Sequence, residues 1–190
     1  MVLLSGIILA IASTVAALHP YASPITPVLS CDRAPHIETL GYQTALHAIQ
    51  HLLSRYPVAV DGKDWDALPR IFTSDATANF PPPLGTIRGA GNIAAAISDG
   101  VGRFVSTQHS YGTQVIELCS NRKAVALTYL TASHFLAQVP PGLTDAYDLD
   151  KVLYSYGRYQ DTVIKGKDGK WKISERTLVW MGPNISKAFR

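Results

Sequence analysis

Apolar residues recur at helical spacing early in the chain and over strand-like stretches later. Ala45, Ala48, Ile49, Leu52, Leu53 and Tyr56 fall on one face, with Gln43, His47, Gln50, His51 and Ser54 on the other, so the spacing predicts an amphipathic first helix. Pro57 is expected to kink or end it before Val58-Ala59-Val60-Asp61. Asp64 is placed to cap a short second helix whose Trp65, Leu68, Ile71 and Phe72 point inward, and Ser74-Asp75 reads as a turn. Residues 76–80 and 86–88 read as short strands around PPPLG, and Ile93, Ile97, Val101 and Phe104 outline a third helix. Beyond it, residues 105–118, 123–137, 151–165 and 171–181 are long runs rich in Thr, Val, Tyr, Ile and Leu. They are separated by turn residues such as Ser120-Asn121 and Lys167-Asp168-Gly169. Helices first and long antiparallel strands afterwards predict an α+β domain.

A chain of 190 residues, 47% hydrophobic and 16% charged, suffices for one domain with a substantial core. Its formal charge of +3 is spread without a basic stripe, so nucleic acid is not an expected partner. The opening MVLLSGIILAIASTVAA has no charged side chain, ends in small residues and is too short to span a bilayer. Residues 1–17 therefore read as a cleaved signal peptide, leaving no stable membrane anchor and placing the protein in the secretory lumen or outside the cell. The Pro- and Ser-rich residues 18–35 read as an extended lead-in, and residues 36–190 as the domain. In that compartment the only cysteines, Cys31 and Cys119, suit a disulfide; two buried thiols are the alternative. Asn184-Ile185-Ser186 matches the glycosylation acceptor pattern at Asn184.

Candidate chemistry is confined to a few residues. His47 and His51 lie one helical turn apart on the polar face without a visible third ligand, so they read as a solvated pair. No Gly-x-Ser-x-Gly is present, neither cysteine has a catalytic context, and GAGN at 89–92 lacks the setting of a phosphate loop.

The phrases AVDGKDWDALPRIFTSDA, GTIRGAGNI, STQHSYGTQVI and ERTLVWMGP are a different matter. They resemble the SnoaL-like family of the nuclear-transport-factor-2-like superfamily, within it the scytalone dehydratase branch of fungal secondary metabolism. The likeness runs from about residue 45 to about residue 182. It implies a cone-shaped, curved mixed or antiparallel β-sheet wrapped on three N-terminal helices around one deep pocket. Residue by residue it implies an acid–base site of Asp61, His109 and His134, with His134 paired to Asp61; the spacing between the two histidines matches the family's without a gap. Val60 and Phe80 stand where the dehydratases have two tyrosines that hold a water against the substrate carbonyl, and Gly157 and Tyr159 fall near a polar serine and asparagine. Scytalone itself is therefore not expected to be a good substrate. Tyr159, Tyr129 and Tyr111 are candidate replacement donors, and Trp180 joins Val60 and Phe80 among the substrate-contacting positions.

One Asp and two His in an apolar pocket suit proton abstraction beside a carbonyl, followed by loss of water, ring closure or double-bond migration. The expectation is a cofactor-free lyase or isomerase acting on a small cyclic, polyketide-like or aromatic metabolite. The alternative is a non-catalytic secreted protein that binds such a ligand. No metal is expected from the resemblance, although two His and a carboxylate would also suit a facial triad. Contact between copies through the outer face of the sheet is compatible with either reading.

Overall fold

The computed structural model describes residues 30–31, 39–136 and 151–185; the expected signal peptide and nearly all of the lead-in lie outside them. Three helices, α1 (Thr39–Asp61), α2 (Leu68–Ile71) and α3 (Ala90–Val101), accompany strands β1 (Phe72–Asn79), β2 (Thr86–Arg88), β3 (Ser106–Ser120), β4 (Lys123–Phe135), β5 (Val152–Lys165) and β6 (Trp171–Trp180). The strands form a six-stranded sheet in the order β2-β1-β6-β5-β4-β3. All neighbours are antiparallel except β1 and β6, which run parallel, so the fold is α+β with a mixed sheet. Among the described residues no helix is long and apolar enough to cross a membrane.

The core sits between the helices and one face of the sheet. Ile49, Leu53, Leu68, Phe72, Ile93, Val163 and Ile173 are fully enclosed there, each side chain contributing about 1.5–3 kcal/mol by leaving water. α1 packs against β3, and α3 against β1. The predicted stripe is inward at Ile49, Leu52, Leu53 and Tyr56, while Ala48 is exposed.

Two local expectations need correction. α1 does not end at Pro57 but runs through it to Asp61. Proline removes one N–H donor from the helix, and the burial of Tyr56, Ala59 and Val60 on either side offsets that loss. β1 begins at Phe72 rather than after a turn at Ser74-Asp75. Phe72 pairs with Ile173 and Thr77 with Glu175, so the stretch holding Ser74 and Asp75 is taken up as an irregularity within the strand. Asp64 accepts a hydrogen bond from the Ala67 N–H at 3.0 Å, ahead of the short α2.

Strand register positions everything that follows. Reading across the inner face, Thr107, His134 and Leu153 form one row, His109, Ala132 and Ser155 the next, and Tyr111, Leu130, Gly157 and Trp180 a third. Between Tyr111 and Gln114, β3 advances three residues while β4 advances two, from Leu130 to Thr128. This is a bulge at Gly112-Thr113. At Gly157 any side chain would meet Leu178 and Trp180, the ring of Trp180 lying 3.3 Å from where a Cβ would stand.

Cys31 is bonded to Cys119, which ties the residues before α1 to the far end of β3.

Candidate active site

A cavity of about 360 Å³ lies between α1, α3 and the inner face of the sheet. Val60, Phe80, Ile97, Leu130, Leu178 and Trp180 make most of its wall apolar, and Tyr56, Arg103, His109, His134, Ser155, Tyr159 and Asn184 supply its polar groups.

Asp61 ends α1 beside β3, and three donors converge on its carboxylate. The His109 ring donates from Nδ1 to Oδ1 at 2.6 Å, the His109 backbone N–H donates to Oδ2 at 2.8 Å, and the Thr107 hydroxyl donates to Oδ1 at 2.8 Å. Burial alone would raise the carboxyl's pKa, but these bonds and the neighbouring imidazole hold it below the usual carboxylate value. Asp61 is therefore ionised and acts only as an acceptor, which places a proton of His109 on Nδ1 and turns Nε2 away from the carboxylate.

The sequence comparison paired Asp61 with His134; the structure pairs it with His109. α1 packs on β3, the edge strand, so the carboxylate meets the β3 histidine first, while His134 stands one strand further in. The Nδ1 of His134 instead faces the Leu153 carbonyl at 3.2 Å, so it donates there and directs Nε2 away from that strand. The two imidazoles meet edge to face with centroids 5.4 Å apart. Burial, followed by the adjacent His109, pushes the pKa of His134 down, so this ring is neutral at neutral pH.

The other expected contact residues divide. Val60, Phe80, Tyr159 and Trp180 line the cavity. Tyr129 does not: it points to the opposite face, where it borders a shallow depression with Gly112, Thr131, Tyr156 and Met181. Alternation along β4 dictates this, because Leu130 and Thr128 take the inner face. Tyr111 packs edge to face on Tyr159 with its hydroxyl buried, and does not reach the cavity wall. His47 and His51 are exposed on α1, and no group of three His, Cys, Asp or Glu side chains suited to a metal occurs among the described residues.

Several site residues were not singled out from the sequence. Tyr56, from α1, lines the cavity and packs edge to face with Tyr159. Thr107 lies two residues before His109 and so on the same face of β3, a signal available in Thr-Gln-His. Ser155 donates to Asn184 Oδ1 at 2.8 Å, and both line the cavity. Asn184, expected as a glycosylation acceptor, is thus part of the cavity wall, held there by reciprocal backbone hydrogen bonds between Ile185 and Tyr154 at 2.8 Å. Beneath the cavity, Arg176 forms two hydrogen bonds to Asp161, at 2.7 and 2.8 Å, with both side chains fully buried. The guanidinium stacks 4.2 Å from the Tyr56 ring and 4.0 Å from that of Tyr159, holding up the phenols that floor the pocket.

Comparison with known proteins agrees with this architecture. No curated protein matches the sequence. Among solved structures, a scytalone dehydratase candidate from Novosphingobium aromaticivorans superposes with a TM-score of 0.62 at 21% identity, covering 80% of this chain and 99% of that one. A hexachlorocyclohexane dehydrochlorinase, LinA-type3 from Novosphingobium barchaimii, gives 0.63 at 19% identity over 78% and 94% of the two chains. ActVI-ORFA from Streptomyces coelicolor gives 0.58 at 16% identity over 73% and 98%. At such identities the likeness is one of fold. The family model for the SnoaL-like domain matches residues 43–177, and the chain belongs to that family.

Proposed function

We propose that this protein is a cofactor-free acid–base lyase or isomerase that removes a proton from carbon beside a carbonyl in a small cyclic substrate. The observation that supports this reading is the Asp61–His109 pair, whose imidazole forms part of the wall of a largely apolar cavity, with the neutral imidazole of His134 beside it. Nε2 of His109 takes the proton as the C–H electron pair moves into the adjacent carbonyl, forming an enolate. The Asp61 carboxylate stabilises the imidazolium that results. Once His109 is charged, its field disfavours a second charge on His134, so the two rings share one proton between them. That proton then goes either to a leaving hydroxyl, which departs as water, or to another carbon of the enolate, which moves the double bond. An apolar wall suits a ring of carbon, and the enclosed setting strengthens each polar contact.

The Cys31–Cys119 bond supports placing the protein in an oxidising compartment, in keeping with its signal-like N-terminus. A carrier that only binds the same ligand is the second reading.

Proton abstraction can be tested without knowing the natural substrate. In deuterated buffer, 1-tetralone should exchange the hydrogens beside its carbonyl faster with the protein than without it, as followed by NMR. His109→Ala should lower that rate by roughly 10²–10⁴, and His134→Gln should lower it less. Exchange no faster than in buffer, or full exchange by folded His109→Ala, refutes the enzymatic reading and leaves the carrier.

A further inference from the structure

We infer that the side-chain amide of Asn184 is the group that binds the substrate oxygen, and that the ligand lies across the sheet over Ala132 with its reacting carbon at His109. This inference rests on the acid–base reading above.

The register row His109–Ala132–Ser155 crosses three adjacent strands, β3, β4 and β5. Strands lie about 4.8 Å apart, so the backbones at the two ends of the row are separated by roughly 10 Å. The middle residue carries only a methyl group, and all three residues line the cavity. The sheet therefore offers a shallow seat about one ring wide, with a base at one end and a polar pair at the other.

The hydrogen bond from Ser155 to Asn184 gives that far end its sign. The Ser155 hydroxyl is a donor to Asn184 Oδ1, which occupies the amide's acceptor and turns its NH₂ elsewhere. Among the described residues no partner for that NH₂ is found. Backbone hydrogen bonds fix the segment that carries it: Met181 N–H to the Tyr156 carbonyl, and the reciprocal pair between Ile185 and Tyr154. Asn184 is exposed while lining the cavity, so its preset N–H donor stands where the cavity meets solvent; such a donor selects an oxygen acceptor, and a carbonyl oxygen is the kind that makes a neighbouring C–H acidic enough for His109. Val60 and Phe80, which line the same cavity, cannot donate a hydrogen bond, and Arg103, the lining cation, is exposed with its guanidinium over the Phe104 ring. Asn184 is thus a substrate-binding residue and Ser155 the residue that positions it.

The same amide nitrogen is the atom a glycan would occupy. Glycosylation and oxygen binding at Asn184 exclude each other, and the inference assigns the nitrogen to the ligand.

Calorimetric binding of 1-tetralone and of tetralin, which lacks the oxygen, tests the assignment. The wild-type protein should prefer the ketone by about tenfold, the worth of one hydrogen bond. Asn184→Leu should abolish the preference while leaving tetralin binding intact; Asn184→Asp, which removes the donor at similar size, should do the same. Ser155→Ala should weaken the preference, and His109→Ala should retain it. In the exchange assay, Asn184→Leu should lower kcat as well as raise KM, because negative charge develops on the oxygen it binds. An unchanged preference in Asn184→Leu, no binding of either probe, or a glycan on Asn184 in active secreted protein overturns the inference. A ketone preference that depends on Asn184 in a protein that exchanges no hydrogen refutes the enzymatic reading instead and leaves the oxygen site standing.

Discussion

Two carboxylates in this molecule each hold a cation-forming partner, and their partners make them opposites. Asp161 grips Arg176 with both side chains inaccessible, whereas Asp61 holds His109 at the cavity wall, with the Asp61 side chain 24% exposed. A guanidinium keeps its proton at every pH a protein survives, so the buried pair is fixed in one charge state. Burial would lower the pKa of Arg176, but Asp161 raises it well above its ordinary value. An imidazole, unlike a guanidinium, can both accept and donate a proton, so its pair is suited to proton transfer. The difference teaches that the depth of an ion pair and the identity of its base together decide whether it supports shape or chemistry. Here the first pair carries the phenol floor, and the second faces the space above it.

The largest test of this contrast is to break the buried pair. Arg176→Met leaves Asp161 charged without a partner in the core and should cost about 3–5 kcal/mol in chemical denaturation, while Arg176→Met with Asp161→Leu should recover most of it. Equal stability of the single and double variants would show that the pair is not the structural element argued here.

Neutralising the other carboxylate should have the converse effect. Asp61→Asn retains the shape and an acceptor oxygen for His109 but removes the charge that stabilises the imidazolium. It should lower the tetralone exchange rate roughly 10²–10⁴-fold, and also lower the melting temperature, because the new NH₂ must face one of the donors that the two carboxylate oxygens accept. Full exchange activity in folded Asp61→Asn contradicts the role given to this pair.

The smallest effect concerns pH. His134 has a folded pKa below its unfolded value of about 6.5. Above that value both states are neutral and the group contributes no pH dependence. As pH falls below it, the unfolded chain takes up a proton that the folded protein still refuses, so stability declines until the folded pKa is passed. The depressed pKa of Asp61 adds a loss at lower pH, as its carboxylate is protonated below its own unfolded value of about 3.9. Thermal melts of His134→Leu should show a flatter decline between neutrality and mild acid than the wild type. Identical slopes would remove His134 as a source of that dependence.

How much of this was legible in the sequence follows from the range of each interaction. The long strands, the third helix and the inward face of α1 depend on spacing within a few residues, and the sequence shows them. The family likeness brought Asp61, His109 and His134 into one pocket, but which histidine Asp61 meets depends on which strand α1 packs against. No local pattern encodes that. Asp161 and Arg176 do carry a signal, since opposite charges stand almost symmetrically about the Asp168-Gly169 turn and face each other across the hairpin. Ser155 and Asn184 meet only because the chain after β6 folds back beside Tyr154, a tertiary event with no periodicity to announce it.

The bulge at Gly112-Thr113 has a consequence best put as parity. On the His109 side of it the inward residues of β3 are the odd-numbered Thr107, His109 and Tyr111; on the other side they are the even-numbered Gln114, Ile116 and Leu118. A regular strand of the same length, without the bulge, would have to turn one of its halves over. If the half carrying Ile116 and Leu118 kept its place, His109 would rotate to solvent, and Gln108 and Ser110 would face the cavity in its stead. An irregular pair of residues well away from any reacting atom thus acts as the phase setting of the strand: deleting one of the two would leave simple alternation with His109 still inward, whereas deleting both would reverse the phase.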